Sequence, residues 1–167
     1  LKSKGGHMSN LSDTIEYLLK QMLDANEGII EFTRNDLAEE LNCVPSQITY
    51  VLQTRFTNNL GYIKESRRGG GGSITIRRIA FESPQTHLAH QIRNMRESIS
   101  QSEANMILEN LESQNSINQD EMHLMQSAIS DQALEKVNKN LIDEVRSSIL
   151  TNMLLIIYQL HAKGGES

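Results

Sequence analysis

Apolar residues first recur at helical spacing. Ile15, Leu18, Leu19, Met22 and Leu23 fall at i, i+3, i+4, i+7 and i+8, which gathers them on one helical face, with Ser12 available as the N-cap. A second, shorter helix is predicted to open at Thr33, whose hydroxyl can cap toward Asp36; it buries Leu37, Ala38 and Leu41 and stops near Asn42. After a tight Asn42-Cys43-Val44 turn, Pro45 suits a first helical position, and Ile48, Val51, Leu52 and Phe56 continue an inward stripe. The other face of this third helix is Ser46, Gln47, Thr49, Tyr50, Gln53 and Thr54, polar without being charged. The pattern then changes. Lys64-Glu65-Ser66-Arg67-Arg68, the four glycines Gly69, Gly70, Gly71 and Gly72, and Ser73-Ile74-Thr75-Ile76-Arg77-Arg78 read as a β-hairpin with a side-chain-free tip.

The remainder reads as helices. Ser83-Pro84 opens a pattern with Leu88, Ile92 and Met95. Ser102 can cap a helix burying Met106, Ile107 and Leu111, and Asn118 one burying Met122, Met125 and Ile129. The longest is predicted to run from about Asp131 through Leu134, Val137, Leu141, Val145 and Ile149 into the apolar stretch 150–160. Such a region is apolar enough to pack against a second copy of itself.

Two short helices joined by about three or four residues and followed by a hairpin fit a winged helix-turn-helix. The expected fold is therefore mainly α with a small β-hairpin: a winged helix-turn-helix DNA-binding domain at 8–80 and a C-terminal α-helical bundle dimerisation domain at 81–167. Residues 1–7 read as an expression scar ahead of a natural start at Met8.

Composition narrows the class. With 38% apolar but only 4% aromatic residues, the core should be aliphatic and Met-rich. Cys43 is the only cysteine, so no internal disulfide can form, which suits a reducing compartment. The apolar stretch 150–157 is broken by Thr151 and Asn152 and falls short of the roughly 20 residues that span a bilayer. With no secretory signal after Met8, a cytoplasmic protein without membrane contact is expected.

A net charge of −5 argues against nucleic acid until its distribution is seen. Residues 9–44 carry two basic and eight acidic side chains, residues 45–80 six basic and one acidic, and residues 81–167 six basic and twelve acidic. One basic block thus lies between two acidic ones, and screening beyond roughly 10 Å leaves contacting arginines effective. Glycines are costly to order, so four in succession are easiest to explain if the backbone must approach something closely. With Lys64, Arg67, Arg68, Arg77 and Arg78 around the tip, a phosphate backbone is the expected partner.

The expected DNA-binding residues are Ser46, Gln47, Thr49, Tyr50 and Thr54 on the third helix, Arg55 at its end, and Arg67, Arg68, Gly69, Gly70, Gly71, Gly72 and Arg77 on the hairpin. Gln can pair bidentately with adenine, and Ser or Thr can serve either base; the arginines would engage phosphates or enter the minor groove. Tyr50 is expected to pack at the turn in preference to contacting DNA, and Arg77 and Arg78 alternate across a strand, so only one of them is expected to face DNA. His87 and His90 lie three apart, a metal-ligand spacing, but without an evident third ligand no metal is expected, and no cofactor. Glu97, Glu103, Glu109 and Glu112 read as a solvated face or as a surface for a protease adaptor.

Enzyme readings do poorly. The glycine run lacks the Lys-Ser/Thr of a P-loop and is flanked by strands, and no Ser-His-Asp or Cys-His order is evident. The alternative to DNA binding is a winged-helix adaptor that binds protein.

The runs Cys43-Val44-Pro45-Ser46-Gln47-Ile48-Thr49-Tyr50-Val51, Thr54-Arg55-Phe56-Thr57, Gly61-Tyr62-Ile63 and Glu65-Ser66-Arg67-Arg68 with the four glycines closely resemble the CtsR family of heat-shock repressors. The resemblance is strong from Met8 to about Ile79, and beyond that rests on length and helical character. It implies a dimeric repressor of clp and related chaperone genes, with a recognition helix in the major groove of a tandem heptanucleotide direct repeat and a heat-sensitive wing along the minor groove. It also implies that Arg68 is phosphorylated by a protein arginine kinase acting with its adaptor, and that Clp protease is a partner; Arg67 is a second candidate target. Ser73 and Thr75 depart from the aromatic and basic residues common in the family.

Overall fold

The computed structural model describes residues 10–69 and 72–164, which divide into two compact units, one ending at Ile79 and one beginning at Ala80. In the first unit, helix α1 (Leu11–Ala25) leads into strand β1 (Ile29–Thr33), helices α2 (Arg34–Glu40) and α3 (Pro45–Arg55), a single 3₁₀ turn, and strands β2 (Tyr62–Ser66) and β3 (Ser73–Arg78). α1 is capped by Asn10, whose side chain accepts from the Asp13 amide at 2.9 Å; Ser12, the expected cap, is a buried residue of the first turn. The Thr33 cap, bonded to the Asp36 amide, and Pro45 in the first turn of α3 stand as expected.

The sheet has three strands in the order β1-β3-β2, both pairs antiparallel. β1 was not expected, although Ile29-Ile30-Glu31-Phe32-Thr33 carries the alternation of a half-buried strand. Ile30 and Phe32 face inward against Ile76 and Ile74, and the sheet closes over Ile15, Leu19, Leu23, Leu37, Ile48, Val51 and Phe56. Phe56 and Tyr62 pack ring to ring at 4.8 Å, joining the end of α3 to the start of β2. The wing therefore grows from a sheet that shares the core of the helix-turn-helix.

The second unit is helical: α4 (Pro84–Arg93), α5 (Gln101–Ser113), α6 (Gln119–Ala128) and α7 (Ile142–Gly164). Ser83 caps α4, while Ser100, two residues before the expected Ser102, caps α5 in a reciprocal box with Glu103, as Asn118 does with Glu121 on α6. α7 starts at Ile142, not near Asp131; residues 131–141 form successive turns. Two forces end the helical pattern there. Asn138 bonds the Asn140 amide with its side chain, competing with the backbone ladder, and the fully buried Arg146 draws the segment in through Asp131 and the Ile129 carbonyl at 2.8 Å. Arg146 also bonds Asp143 and the Ile99 carbonyl, so its charge is matched on every side.

His87 is also internal to this unit. Its Nε2–H donates to Asn110 Oδ1 at 3.1 Å, Nδ1 accepts from the Ser116 hydroxyl at 2.8 Å, and its ring stacks on Phe81 at 4.4 Å. Both ring nitrogens are thereby committed to protein partners. No helix among the described residues is long and apolar enough to cross a membrane.

Candidate nucleic-acid interface

The turn between α2 and α3 is set by local backbone geometry. Asn42 adopts a left-handed conformation (φ 52°), and the Cys43 amide closes back on the Ala38 carbonyl at 2.9 Å. This turns the chain so that Ile48, Val51 and Leu52 enter the core and the opposite face of α3 looks outward. On it Ser46, Tyr50 and Gln53 are exposed, and Gln47, Thr49 and Thr54 are half-buried. Tyr50 is 55% exposed and, against the expected packing at the turn, stands on the outward face. Thr49 and Thr54 donate their hydroxyl protons to the Pro45 and Tyr50 carbonyls, at 3.3 and 2.8 Å. Their oxygens remain acceptors, suited to the amino groups of cytosine or adenine.

The six cations of residues 45–80 fall into two groups. Arg55 does not point outward: its Nη1 meets Glu16 at 2.5 Å and Asp13 at 3.2 Å, tying the end of α3 to α1. Burial opposes its charged form, but the two carboxylates outweigh this and raise its pKa above the ordinary value. Arg78 is likewise held by Asp24 at 2.6 Å; burial again opposes, and Asp24 and Tyr62 win. Lys64 donates to the Leu52 carbonyl at 2.6 Å. Arg67, Arg68 and Arg77 are exposed, and among the described residues their side chains have no ion-pair or hydrogen-bond partner. Of the Arg77 and Arg78 pair, Arg77 is the outward member.

The wing hairpin continues one step beyond its strands, with the Arg67 amide on the Ser73 carbonyl at 2.9 Å. Gly69 (φ 106°) and Gly72 (φ 71°) lie in the left-handed region, and a Cβ at either would meet nothing within 4 Å. They are glycines for backbone conformation, not for crowding within the protein, which leaves open space for a partner's close approach. Gly70 and Gly71 lie outside the described residues. On the outer sheet face Arg77 is paired between Ile29 and Ile63, and Thr75 between Glu31 and Glu65.

One cation was missed by the sequence reading. Arg34 follows Thr33, which pairs with Ser73 at the base of the wing, and its buried Nε has no hydrogen-bond partner among the described residues. Its position directly after a helix cap was the available signal, obscured because β1 was not foreseen.

A three-helix unit with this sheet, an outward polar helix face and a glycine-tipped hairpin defines a winged helix-turn-helix protein, followed here by a helical unit. Residues 10–80 match the CtsR N-terminal HTH domain family and residues 84–155 the CtsR C-terminal dimerization domain family. The chain belongs to the CtsR family. It is 37% identical over 153 residues to the transcriptional regulator CtsR of Staphylococcus aureus (strain USA300), covering 90% of this chain and 98% of the relative. The CtsR of Staphylococcus saprophyticus is 37% identical over 151 residues, with the same coverage. Among solved structures, a crystal structure of CtsR in complex with a 26-base-pair DNA duplex superposes with a TM-score of 0.81 at 37% identity, covering 89% of this chain and 99% of that one.

Proposed function

We propose that this chain is a cytoplasmic, homodimeric, sequence-specific DNA-binding repressor of clp protease and chaperone genes. The observation that carries the reading is the division of cations: Arg55, Lys64 and Arg78 are bonded to other parts of the unit, whereas Arg67, Arg68 and Arg77 on the wing are exposed and have no side-chain partner among the described residues. Exposed guanidinium groups on the wing, together with a hydroxyl- and amide-bearing helix, suit a duplex, the cations taking phosphates or the minor groove and the helix reading base edges of a tandem heptanucleotide repeat. Arg34 adds a cation at the base of the wing. Family membership and the likeness to a CtsR–DNA complex support the same partner.

Control is proposed to act on the wing. A tip that buries no side chains of its own opens at low cost, so affinity falls on heating before the core melts. Phosphorylation of Arg68 by a protein arginine kinase with its adaptor converts a phosphate-seeking cation into an anion, and the released repressor becomes a client of Clp protease. The second copy is proposed to cover α7, where Leu155, Ile156 and Leu160 are exposed.

The test is fluorescence anisotropy on a tandem-repeat duplex and a scrambled duplex at two salt concentrations, for wild type and Arg68→Glu. Specific, salt-sensitive binding that Arg68→Glu abolishes is expected. The exposed Ile29 and Ile63 around Arg77 favour the adaptor reading as the alternative, and equal weak binding to both duplexes would turn the argument to it.

A further inference from the structure

Two separate elements must meet the duplex together, and their spacing depends on what joins them. Below the sheet, Phe56 and Tyr62 and the shared apolar core link α3 to β2 without fixing direction. Directional links are the Tyr62 amide on the Thr57 carbonyl at 3.1 Å, at the start of β2, and Lys64 further along the strand. Lys64 sits on β2 opposite Ile76, on the inward side of the strand, and its ammonium reaches the carbonyl of Leu52 in the last turns of α3 at 2.6 Å. Helix ends leave carbonyls short of partners and carry partial negative charge, so a cation there is well placed. Two residues further along β2, Ser66 gives way to Arg67 and Arg68 and the glycine tip. Among the described residues, the same bond at the end of α3 is therefore the side-chain tie nearest the tip between that helix and the strand from which the wing projects.

We propose that Lys64 is a positioning residue that clamps the wing strand to the C-terminal part of the recognition helix and so sets the separation of the two DNA-reading elements. The role rests on the DNA-binding function proposed above. The proposal gives Lys64 no contact of its own with the duplex: its ammonium, on an exposed residue, is held at the Leu52 carbonyl. A base-reading geometry depends on the spacing of helix and wing, whereas non-specific attraction depends on the number of cations presented to phosphates. Loss of the clamp therefore lowers discrimination and leaves the electrostatic component in place.

The test compares wild type with Lys64→Met, which keeps the apolar stem and removes the ammonium, and with Lys64→Arg, which keeps a cation. Anisotropy against tandem-repeat and scrambled duplexes over a salt series should show Lys64→Met weakening specific binding by about tenfold, the scale of one charge-assisted hydrogen bond. Its salt slope and its affinity for the scrambled duplex should match wild type, and Lys64→Arg should restore discrimination. A salt slope reduced by about one, with equal loss on both duplexes, would overturn the proposal by making Lys64 a phosphate contact. Amide exchange without DNA gives an independent reading. The Arg67 amide, bonded across the wing base to Ser73, should exchange faster in Lys64→Met while the α1 core amides do not change. Unchanged Arg67 exchange would overturn the clamp, and if wild type failed to discriminate the duplexes, the DNA-binding reading would fall while exchange still decided the clamp.

Discussion

Arg55 shows how a residue's role can differ from its type. At the end of a recognition helix an arginine reads as a phosphate contact, yet here Glu16 and Asp13 neutralise it against α1. Its contribution is then to stability. Arg55→Met should lower unfolding free energy in urea by about 1–2 kcal/mol, since a partly buried charge-assisted bond is lost and two carboxylates are left without it. The salt slope of DNA binding should stay as in wild type; a slope reduced by about one would return Arg55 to the phosphate contacts.

His87 carries a comparable argument for the helical unit. Burial pushes its pKa below the ordinary value, with the Asn110 hydrogen bond opposing the shift and nearby His90 reinforcing it. The unfolded chain therefore takes up the proton at a higher pH than the folded one. The stability associated with neutral His87 is complete above the unfolded pKa and is lost as pH falls through the depressed folded value. Thermal melts between about pH 7.5 and about pH 5.5 should show a larger drop for wild type than for His87→Gln, whose amide can still engage Ser116 and Asn110 but does not titrate. Equal drops would assign the acid sensitivity elsewhere.

At the scale of elements, the three helices of the first unit and the wing were readable because each rests on neighbours in sequence. Apolar spacing, Thr33 with Asp36, and Pro45 act within one or two turns. β1 escaped because a five-residue strand becomes stable only when β3, whose partner residues lie 40 to 48 positions later, supplies its hydrogen bonds. The start of α7 was misread for a related reason. Leu134, Val137 and Leu141 keep helical spacing, but Asn138 and the Arg146 contacts favour turns, and those of Arg146 to Asp131, Ile129 and Ile99 join residues 15 to 47 apart. The apolar side of α7 remains open at Leu155, Ile156 and Leu160. A second copy should cover it, so Ile156→Asp with Leu160→Asp should shift the protein from dimer to monomer in sedimentation while far-ultraviolet helix content is retained. A dimer that survives both charges would place the contact on another face.

For the whole molecule, the charge pattern along the chain and its arrangement in space make different statements. A net charge of −5 conceals a basic segment, and that segment conceals a further division into cations that hold the fold and cations that remain outside. The presence of a winged helix-turn-helix and of an outward polar face on α3 followed from local order along the chain, because periodicity and caps act over a few residues. Which arginines lack a partner among the described residues did not. Arg55 reaches Glu16 across 39 positions, Arg78 reaches Asp24 across 54, and Lys64 finds Leu52 only because β2 folds back beside α3. Charge pairing depends on distance in three dimensions, so the choice between cations paired within the fold and cations left exposed was made by tertiary packing.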